Sequence, residues 1–310
     1  WNRRIGEGLL MKKIKLKKKS LEDSLSGHTT QVEERKVIEV VGNNKVTEYL
    51  RVAEEYFDYF KRGFKVSLIA FQLRETVGAL TSEEAALFLD ASKVFMDERN
   101  YAEIFSGFFK EVIHGSRDAG YREFEFDLQG FGQHNPFGNI WGNVNNDESE
   151  RTKITFRNVS NSINLLRGCH YLDVVVKGDV GYGFGFGAKN SLHHIEGNAE
   201  GAMGNSSSQS KFIVDGNIDY SFGYNSSQSY FDLRGNVSSH YLAKQAKDST
   251  FRIGGDLVGD YWVGDFNAQN CKFISPNENV IEYLLNHLFF GHGHKIYREL
   301  EDGKLQEVSK

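Results

Sequence analysis

Gly178-Asp179-Val180, Gly197-Asn198-Ala199, Gly216-Asn217-Ile218, Gly235-Asn236-Val237, Gly255-Asp256-Leu257: one phrase recurs five times in the second half of the chain. The first four glycines stand nineteen residues apart, and the fifth comes after twenty. A unit of this length is too small to bury an apolar face alone, so its copies must stack. Residues four and two before each glycine, and two after it, are mostly apolar. Val174/Val176/Val180 give way to His193/Ile195/Ala199, then to Phe212/Val214/Ile218, Phe231/Leu233/Val237 and Phe251/Ile253/Leu257. Alternation by two places such side chains on one face of a strand. A face repeated at every turn is the interior of a coil.

Other columns share the interval. Gly185, Gly204 and Gly223 recur seven after the first glycine, with Leu242 in their place in the repeat that Gly235 opens. They read as corners, where glycine supplies positive φ and close backbone approach. Ser191, Ser210, Ser229 and Ser249 form another column, and Asn190, Gln209 and Gln228, which precede the first three, could bond from rung to rung as stacked amides do. Asp179, Asn198, Asn217, Asn236 and Asp256 suit a turn, since Asn and Asp tolerate left-handed backbone and bond nearby main chain. Lys177, Glu196, Asp215 and Arg234 form an outer charged column, and Lys177–Glu196 and Asp215–Arg234 are expected to pair across rungs. The phrase extends upstream through Ile154-Thr155-Phe156-Arg157-Asn158 and Phe126-Asp127-Leu128-Gln129-Gly130, with 131–152 as an excursion, and resumes at Phe273. About seven rungs at roughly 4.8 Å each make a column of about 30 Å.

Upstream, the period becomes helical. Tyr49, Ala53, Tyr56, Phe57 and Phe60 line one face of a helix that Gly63 ends, after a short strand at 37–41. A second helix is expected over 66–78. Thr81-Ser82-Glu83-Glu84 is a capping box opening a third, through about Asp97. A fourth opens with Asn100 as N-cap and stops near Gly115, with Ile104, Phe105, Phe108, Phe109 and Val112 as its apolar face. These stripes read as the core of a bundle over the open first rung, since a bare sheet edge invites aggregation. After the coil, 279–288 reads as a helix, and Lys295–Leu300 with Leu305–Val308 as a hairpin. The expected division is a disordered basic tail at 1–36, a helical domain at 37–118, the repeat domain at 119–277 and a cap at 278–310. The tail holds Lys12, Lys13, Lys15, Lys17, Lys18 and Lys19, and residues 1–10 read as upstream sequence ahead of a natural start at Met11. No apolar h-region comes after the basic run.

The spacing Gly178-x-x-Gly181-x-x-x-Gly185 and Gly197-x-x-x-Gly201-x-x-Gly204 resembles the GXGXG domain that closes the glutamate synthase large subunit and forms much of the formylmethanofuran dehydrogenase C subunit. The resemblance spans about residues 120–276 and implies a right-handed parallel β-helix serving as a spacer and packing surface without its own active site. The middle glycine is Asp219 in the third repeat, and the helical first half has no counterpart in that domain. The fold expected is therefore mainly β with α: a right-handed parallel β-helix of about seven rungs, preceded by a small helical domain and closed by a C-terminal helix and hairpin. Bactofilins and Suf-type iron–sulfur assembly proteins are other β-helical scaffolds with related features. A left-handed hexapeptide helix needs an aliphatic residue at every sixth position, a register not sustained between Ile213 and Val237.

Chemistry is harder to find. The net charge of −5 argues against general nucleic-acid binding, leaving only the basic tail for such contact. Two cysteines, Cys169 and Cys271, give no disulfide framework and suit a cytoplasmic protein. No apolar run approaches the roughly 18 residues of a membrane span. Neighbouring His193 and His194 point to opposite faces, so they cannot share a metal, and His193 reads as a core histidine with a satisfied ring nitrogen. The same parity denies Cys169-His170 a nucleophile–base role. His287, His292 and His294 are metal candidates in a glycine-rich loop. Asp219, Asp232, Asp260 and Asp265 are carboxylates a glycosidase could use, though no two are placed on one surface. The run Gly181–Gly187 lacks the GK[ST] ending of a phosphate loop. Its aromatics Tyr182, Phe184 and Phe186, with Tyr224, Tyr241, Tyr261 and Trp262, could line an interaction surface. The reading is a non-catalytic β-solenoid scaffold or protein-interaction module, with a protein partner or self-association and no cofactor. A carbohydrate-active enzyme and a metal-binding assembly scaffold are the alternatives.

Overall fold

The computed structural model describes residues 43–61, 77–97, 100–138, 151–159, 162–259, 262–263, 267–288 and 292–308, all within one compact unit, Gly42–Lys310. The basic stretch 1–36, the expected strand at 37–41 and nearly all of the expected helix at 66–78 lie outside the described residues.

Three helices come first: α1 (Asn44–Lys61), α2 (Ser82–Ala91) and α3 (Tyr101–Asp118). The capping box forms as expected. Thr81 Oγ1 accepts from Glu84 N at 3.1 Å, and Glu84 Oε2 accepts from Thr81 N at 2.9 Å. Glu84 also holds Asn43 and Lys45, which ties the start of α1 to the start of α2. Helix α2 ends at Ala91 in a single 3₁₀ turn over Ser92–Phe95, short of Asp97. Asn100 is not a side-chain cap. It stands in the left-handed region at φ 63°, and its carbonyl rather than its amide starts α3 by accepting from Ile104 N. Phe88 packs against Tyr49, Phe105, Phe108 and Phe109 to form the helical core. Phe109 then meets Phe126 and Phe137 of the first coil, edge to face, at 5.5 and 5.3 Å. Ser82 Oγ donates to Glu123 O at 2.5 Å, so α2 covers the first strand.

Beyond α3 the chain winds into a parallel β-solenoid of about seven turns. Its long sheet holds β1 (Glu123–Asp127), β2 (Thr152–Val159), β3 (Leu172–Gly178), β4 (Leu192–Ile195), β5 (Lys211–Val214), β7 (Tyr230–Leu233), β9 (Thr250–Ile253), β11 (Lys272–Ser275) and β12 (Lys295–Glu299), all parallel. Antiparallel β13 (Leu305–Val308) ends it. A short parallel sheet holds β6 (Ile218–Phe222), β8 (Val237–Leu242) and β10 (Trp262–Val263). A line of bridges from His170 through Lys189, Ser208, Ser227 and Lys247 to Gln269 marks a third side. The apolar columns face inward as expected, except that Leu257 is only half-buried. The glycine phrase is a bend between sheets, so the residue two after it lines the next side rather than the same strand. His193, Phe212, Phe231, Phe251 and Phe273 form one interior stack, with centroids 4.7–5.6 Å apart and planes within 18°. Offset stacking of this kind adds about 0.5–1.5 kcal/mol per pair to apolar burial.

The two glycine columns serve different needs. A Cβ on Gly216 would lie 2.5 Å from Gly197 O and 2.6 Å from Gly197 C, so this column is fixed by backbone stacked on backbone. The second column is left-handed, at φ 61° for Gly185 and Gly204 and 63° for Gly223. The fourth repeat carries one extra residue, a bulge between Tyr220 and Ser221 of β6 on one side and Ser239 and Tyr241 of β8 on the other. Leu242 therefore lies beside Phe222, and Ala243, at φ 58°, is the true partner of Gly223.

The polar columns are ladders. Ser191 N, Ser210 N and Ser229 N donate to Ser210 Oγ, Ser229 Oγ and Ser249 Oγ at 3.2, 3.3 and 3.2 Å. Each of these four hydroxyls donates to the carbonyl two residues earlier in its own rung. Asn190, Gln209 and Gln228 instead supply left-handed backbone at φ 48–50°; their backbone N–H groups bond to the next rung, but among the described residues their side-chain amides make no rung-to-rung bond. The Asp/Asn column bonds upward rather than turning. Asn198 N, Asn217 N, Asn236 N and Asp256 N each donate to the Oδ1 one rung below, at 2.6–2.9 Å.

Two stretches read as irregular belong to the coil. Phe131, Asn135 and Phe137 are buried, and Phe137 O accepts from Leu166 N, so 131–138 completes a turn and only 139–150 lie outside the described residues. The His-rich loop ends in a further rung. Asn270 N donates to His292 O, Gly293 is left-handed at φ 77°, and His294 Nδ1 accepts from Cys271 N at 3.1 Å, as each serine does above it. Helix α4 (Glu278–His287), capped by Asn277, lies between β11 and β12, and the expected hairpin β12–β13 closes the chain.

Candidate interaction face

Most of the candidate chemistry is absorbed by the fold. His287 bonds its own helix at Tyr283 O, while His294 belongs to the serine ladder. No three metal-ligating side chains converge among the described residues. Cys169 does find a histidine, though not its neighbour: its Sγ lies 3.7 Å from His193 Nε2 in the core. Burial pushes the thiol up to about 12 and the imidazole down to about 3. Both stay neutral, the reverse of what a thiolate–imidazolium nucleophile requires. Of the two ring nitrogens of His193, Nε2 meets Cys169 Sγ and Nδ1 has no partner among the described residues. Asp219 and Asp232 stand on different sheets, and Asp260 and Asp265 lie outside the described residues. No helix among the described residues is long and apolar enough to cross a membrane.

The outer side of the long sheet neutralises itself. Arg151 pairs with Asp173 at 2.5 Å, and Arg157 with Glu125 at 2.6 Å. Asp215 takes Arg234 at 2.7 Å and His194 at 2.9 Å; Asp232 takes Arg252 at 2.8 Å, which also holds Glu299. Of the two expected cross-rung pairs, Asp215–Arg234 forms and Lys177–Glu196 does not, although Glu196 and Asp215 both stand one residue past the end of their strands.

The outer side of the short sheet differs. Three registered columns cover it: Asp179/Asn198/Asn217/Asn236/Asp256, Gly181/Glu200/Asp219/Ser238/Val258 and Tyr182/Gly201/Tyr220/Ser239. They hold four acids and no Lys or Arg. Asp179, Glu200, Asp219 and Asp256 are exposed, and among the described residues none has an ion pair. Glu200 and Asp219 are side by side in adjacent rungs, where like charges destabilise. Tyr182 and Tyr220 are 49% and 46% exposed, among the most exposed large hydrophobic residues described. Tyr220 sits at φ 67°, a strained backbone for a bulky residue, directly over Gly201, where a Cβ would come within 2.8 Å of its own. Its ring meets Tyr241 edge-on at 6.3 Å, and Lys244 Nζ lies 4.6 Å above Tyr241.

Of the aromatics expected to line a surface, Tyr241 belongs to this cluster. Tyr224 lies past the Gly223 corner, its N–H held by Asn205 Oδ1, and Phe184 is in the core. Tyr261 and the side chain of Trp262 lie outside the described residues. Tyr220 escapes a reading of the sequence alone, although the Gly201 beneath it signals the space it fills. Set against known proteins, the chain matches no family model, no curated protein and no solved structure.

Proposed function

We propose that this protein is a non-catalytic β-solenoid interaction module whose working surface is the outer side of the short sheet. The observation that carries the reading is the contrast in charge satisfaction. Acids on the long sheet, Glu196 excepted, have partners within the chain, whereas Asp179, Glu200, Asp219 and Asp256 are exposed without an ion pair among the described residues and flank exposed tyrosine rings. Exposed aromatic residues beside a polar rim are the usual composition of a protein interface. A GXGXG-type domain, serving as a packing surface for other proteins in the cytoplasm, is the role this reading extends.

The test is chemical cross-linking in extract of the native host, with the wild-type chain beside Tyr182→Ala/Tyr220→Ala. Both rings are exposed, so the double variant should fold. A partner identified by mass spectrometry is expected with the wild type and lost with the variant. Cross-links that persist unchanged in the variant, or that map only to the long sheet, would remove this surface from consideration.

A further inference from the structure

We infer that the segment bound on the short sheet is a cationic, Lys/Arg-rich stretch of a partner protein. This inference rests on the interaction-module reading and assigns its partner a chemistry.

Three observations converge. Charge is the first: Asp179, Glu200 and Asp219 occupy consecutive rungs with no cation in their columns. Rungs repeat at about 4.8 Å, and unscreened like charges at that spacing attract an external cation. Of the cations in adjoining columns, Arg234 is taken by Asp215 and Asp232, and Lys177 is exposed. The rings are the second. Tyr182 and Tyr220 stand two rungs apart on the same outer column, with Tyr220 lying against Gly201 in the rung between them. A ring face attracts an ammonium or guanidinium by about 0.5–2 kcal/mol. The third is a precedent inside the molecule, since Lys244 already lies over the neighbouring Tyr241 ring. An extended peptide carrying Lys or Arg at alternate positions would present cations to acids and rings together. The same acids repel nucleic acid and acidic membrane surfaces.

The carboxylates can be neutralised without disturbing the fold. Asp179 Oδ1 accepts from Asn198 N, and Asp219 Oδ1 accepts from Tyr220 N and Ser238 Oγ; an Asn keeps that acceptor, as Asn198 and Asn217 do in their own rungs. The experiment is fluorescence anisotropy on the full chain, using a labelled peptide that alternates Lys or Arg with Gly, and a Glu-for-cation counterpart. The wild type should bind the cationic peptide and not the acidic one, weakening as salt shortens the screening length from about 10 Å at 0.1 M to about 3 Å at 1 M. Asp179→Asn/Glu200→Gln/Asp219→Asn should lose about tenfold or more, and Tyr182→Ala/Tyr220→Ala severalfold. Unchanged melting of both variants excludes misfolding. Equal binding of the cationic peptide by wild type and triple variant would overturn the proposal, as would equal binding of both peptides or preferential binding of a neutral polysaccharide. A partner cross-linked through the tyrosines without any affinity for the cationic peptide would sink the charge assignment alone, leaving the interaction-module reading intact.

Discussion

The two outer sides of the coil are built from the same repeat but solve different problems. The long sheet runs unbroken through ten strands, and its surface charges interlock as Asp215–Arg234–Asp232–Arg252–Glu299. The short sheet has three strands and a bulge, and among the described residues its surface acids have no ion pair. It is held from within, by buried Ile218, Phe222, Val237 and Leu242, and at its border by the Asp/Asn ladder. A side whose stability comes from its interior and its corners leaves its outer side chains available for other purposes. The long side uses its outer side chains on itself.

The largest expected effect tests whether corners hold the short side. Gly216→Ala drives a Cβ into Gly197 backbone that cannot give way, and should cost about 3 kcal/mol or more in chemical denaturation. Ile213→Ala, on the outer side of β5 a few residues earlier, should cost about 1 kcal/mol or less, as for a half-buried strand position. Equal costs would mean that the two sides are not held differently.

Next is the ladder that both sides share. Ser210→Ala leaves the buried Ser191 N–H without its acceptor, while Ser208 O keeps Asn190 N as a donor, at a cost of about 2 kcal/mol. Ser210→Cys should recover part of this, because Cys271 takes the same position further along the column, its thiol donating to Gln269 O at 3.4 Å. Failure of cysteine to do better than alanine would show that volume, not the hydrogen bond, is what the column needs.

The interior also sets an acid limit common to both sides. Burial holds His193 neutral with its pKa lowered from 6.5 to about 3, so the unfolded chain binds the proton more readily. Stability from this site is therefore intact above about pH 6.5, falls as pH drops, and levels off below about pH 3, with roughly 2 kcal/mol lost by pH 5. His193→Leu should flatten the difference in stability between pH 7 and pH 5 by about that amount. His114 in α3, pushed down to about 4 by burial, keeps part of the slope in the variant. An unaltered slope would locate the acid sensitivity elsewhere.

The nineteen-residue columns were legible because stacking forces one residue type to meet its own kind at every turn. Interior and corners could be read that way, and the polar columns could be found, but their rung-to-rung bonds run through Ser and Asp/Asn rather than through Asn190, Gln209 and Gln228. Three features could not. The bulge in the fourth repeat shifts the alignment by one, so Leu242 stands in sequence where Ala243 stands in space. The ten-residue helix α4 separates His292–His294 from the preceding rung, and their membership shows only through the hydrogen bond to Cys271 N. The charge contrast between the two sides needs the register of each acid against its neighbours. Spacing alone put Lys177–Glu196 and Asp215–Arg234 on the same footing, yet among the described residues only the second pair forms.

The smallest expected effect is the most direct reading of that contrast. Asp215→Asn removes the partner of Arg234 and His194 on the long side and should cost about 0.5–1 kcal/mol, as for an exposed ion pair in a network. Asp219→Asn keeps both hydrogen bonds of the carboxylate and relieves the repulsion from Glu200, so it should be neutral or stabilising by about 0.2–0.5 kcal/mol. The two substitutions are the same in chemistry and differ only in the side on which they are made. Raising the salt from about 0.05 M to 0.5 M should shrink both effects toward zero from opposite signs, because screening weakens attraction and repulsion alike. A cost for Asp219→Asn equal to that for Asp215→Asn would mean that the acids of the short side are already compensated within the chain. Nothing on that side would then call for a cation from outside.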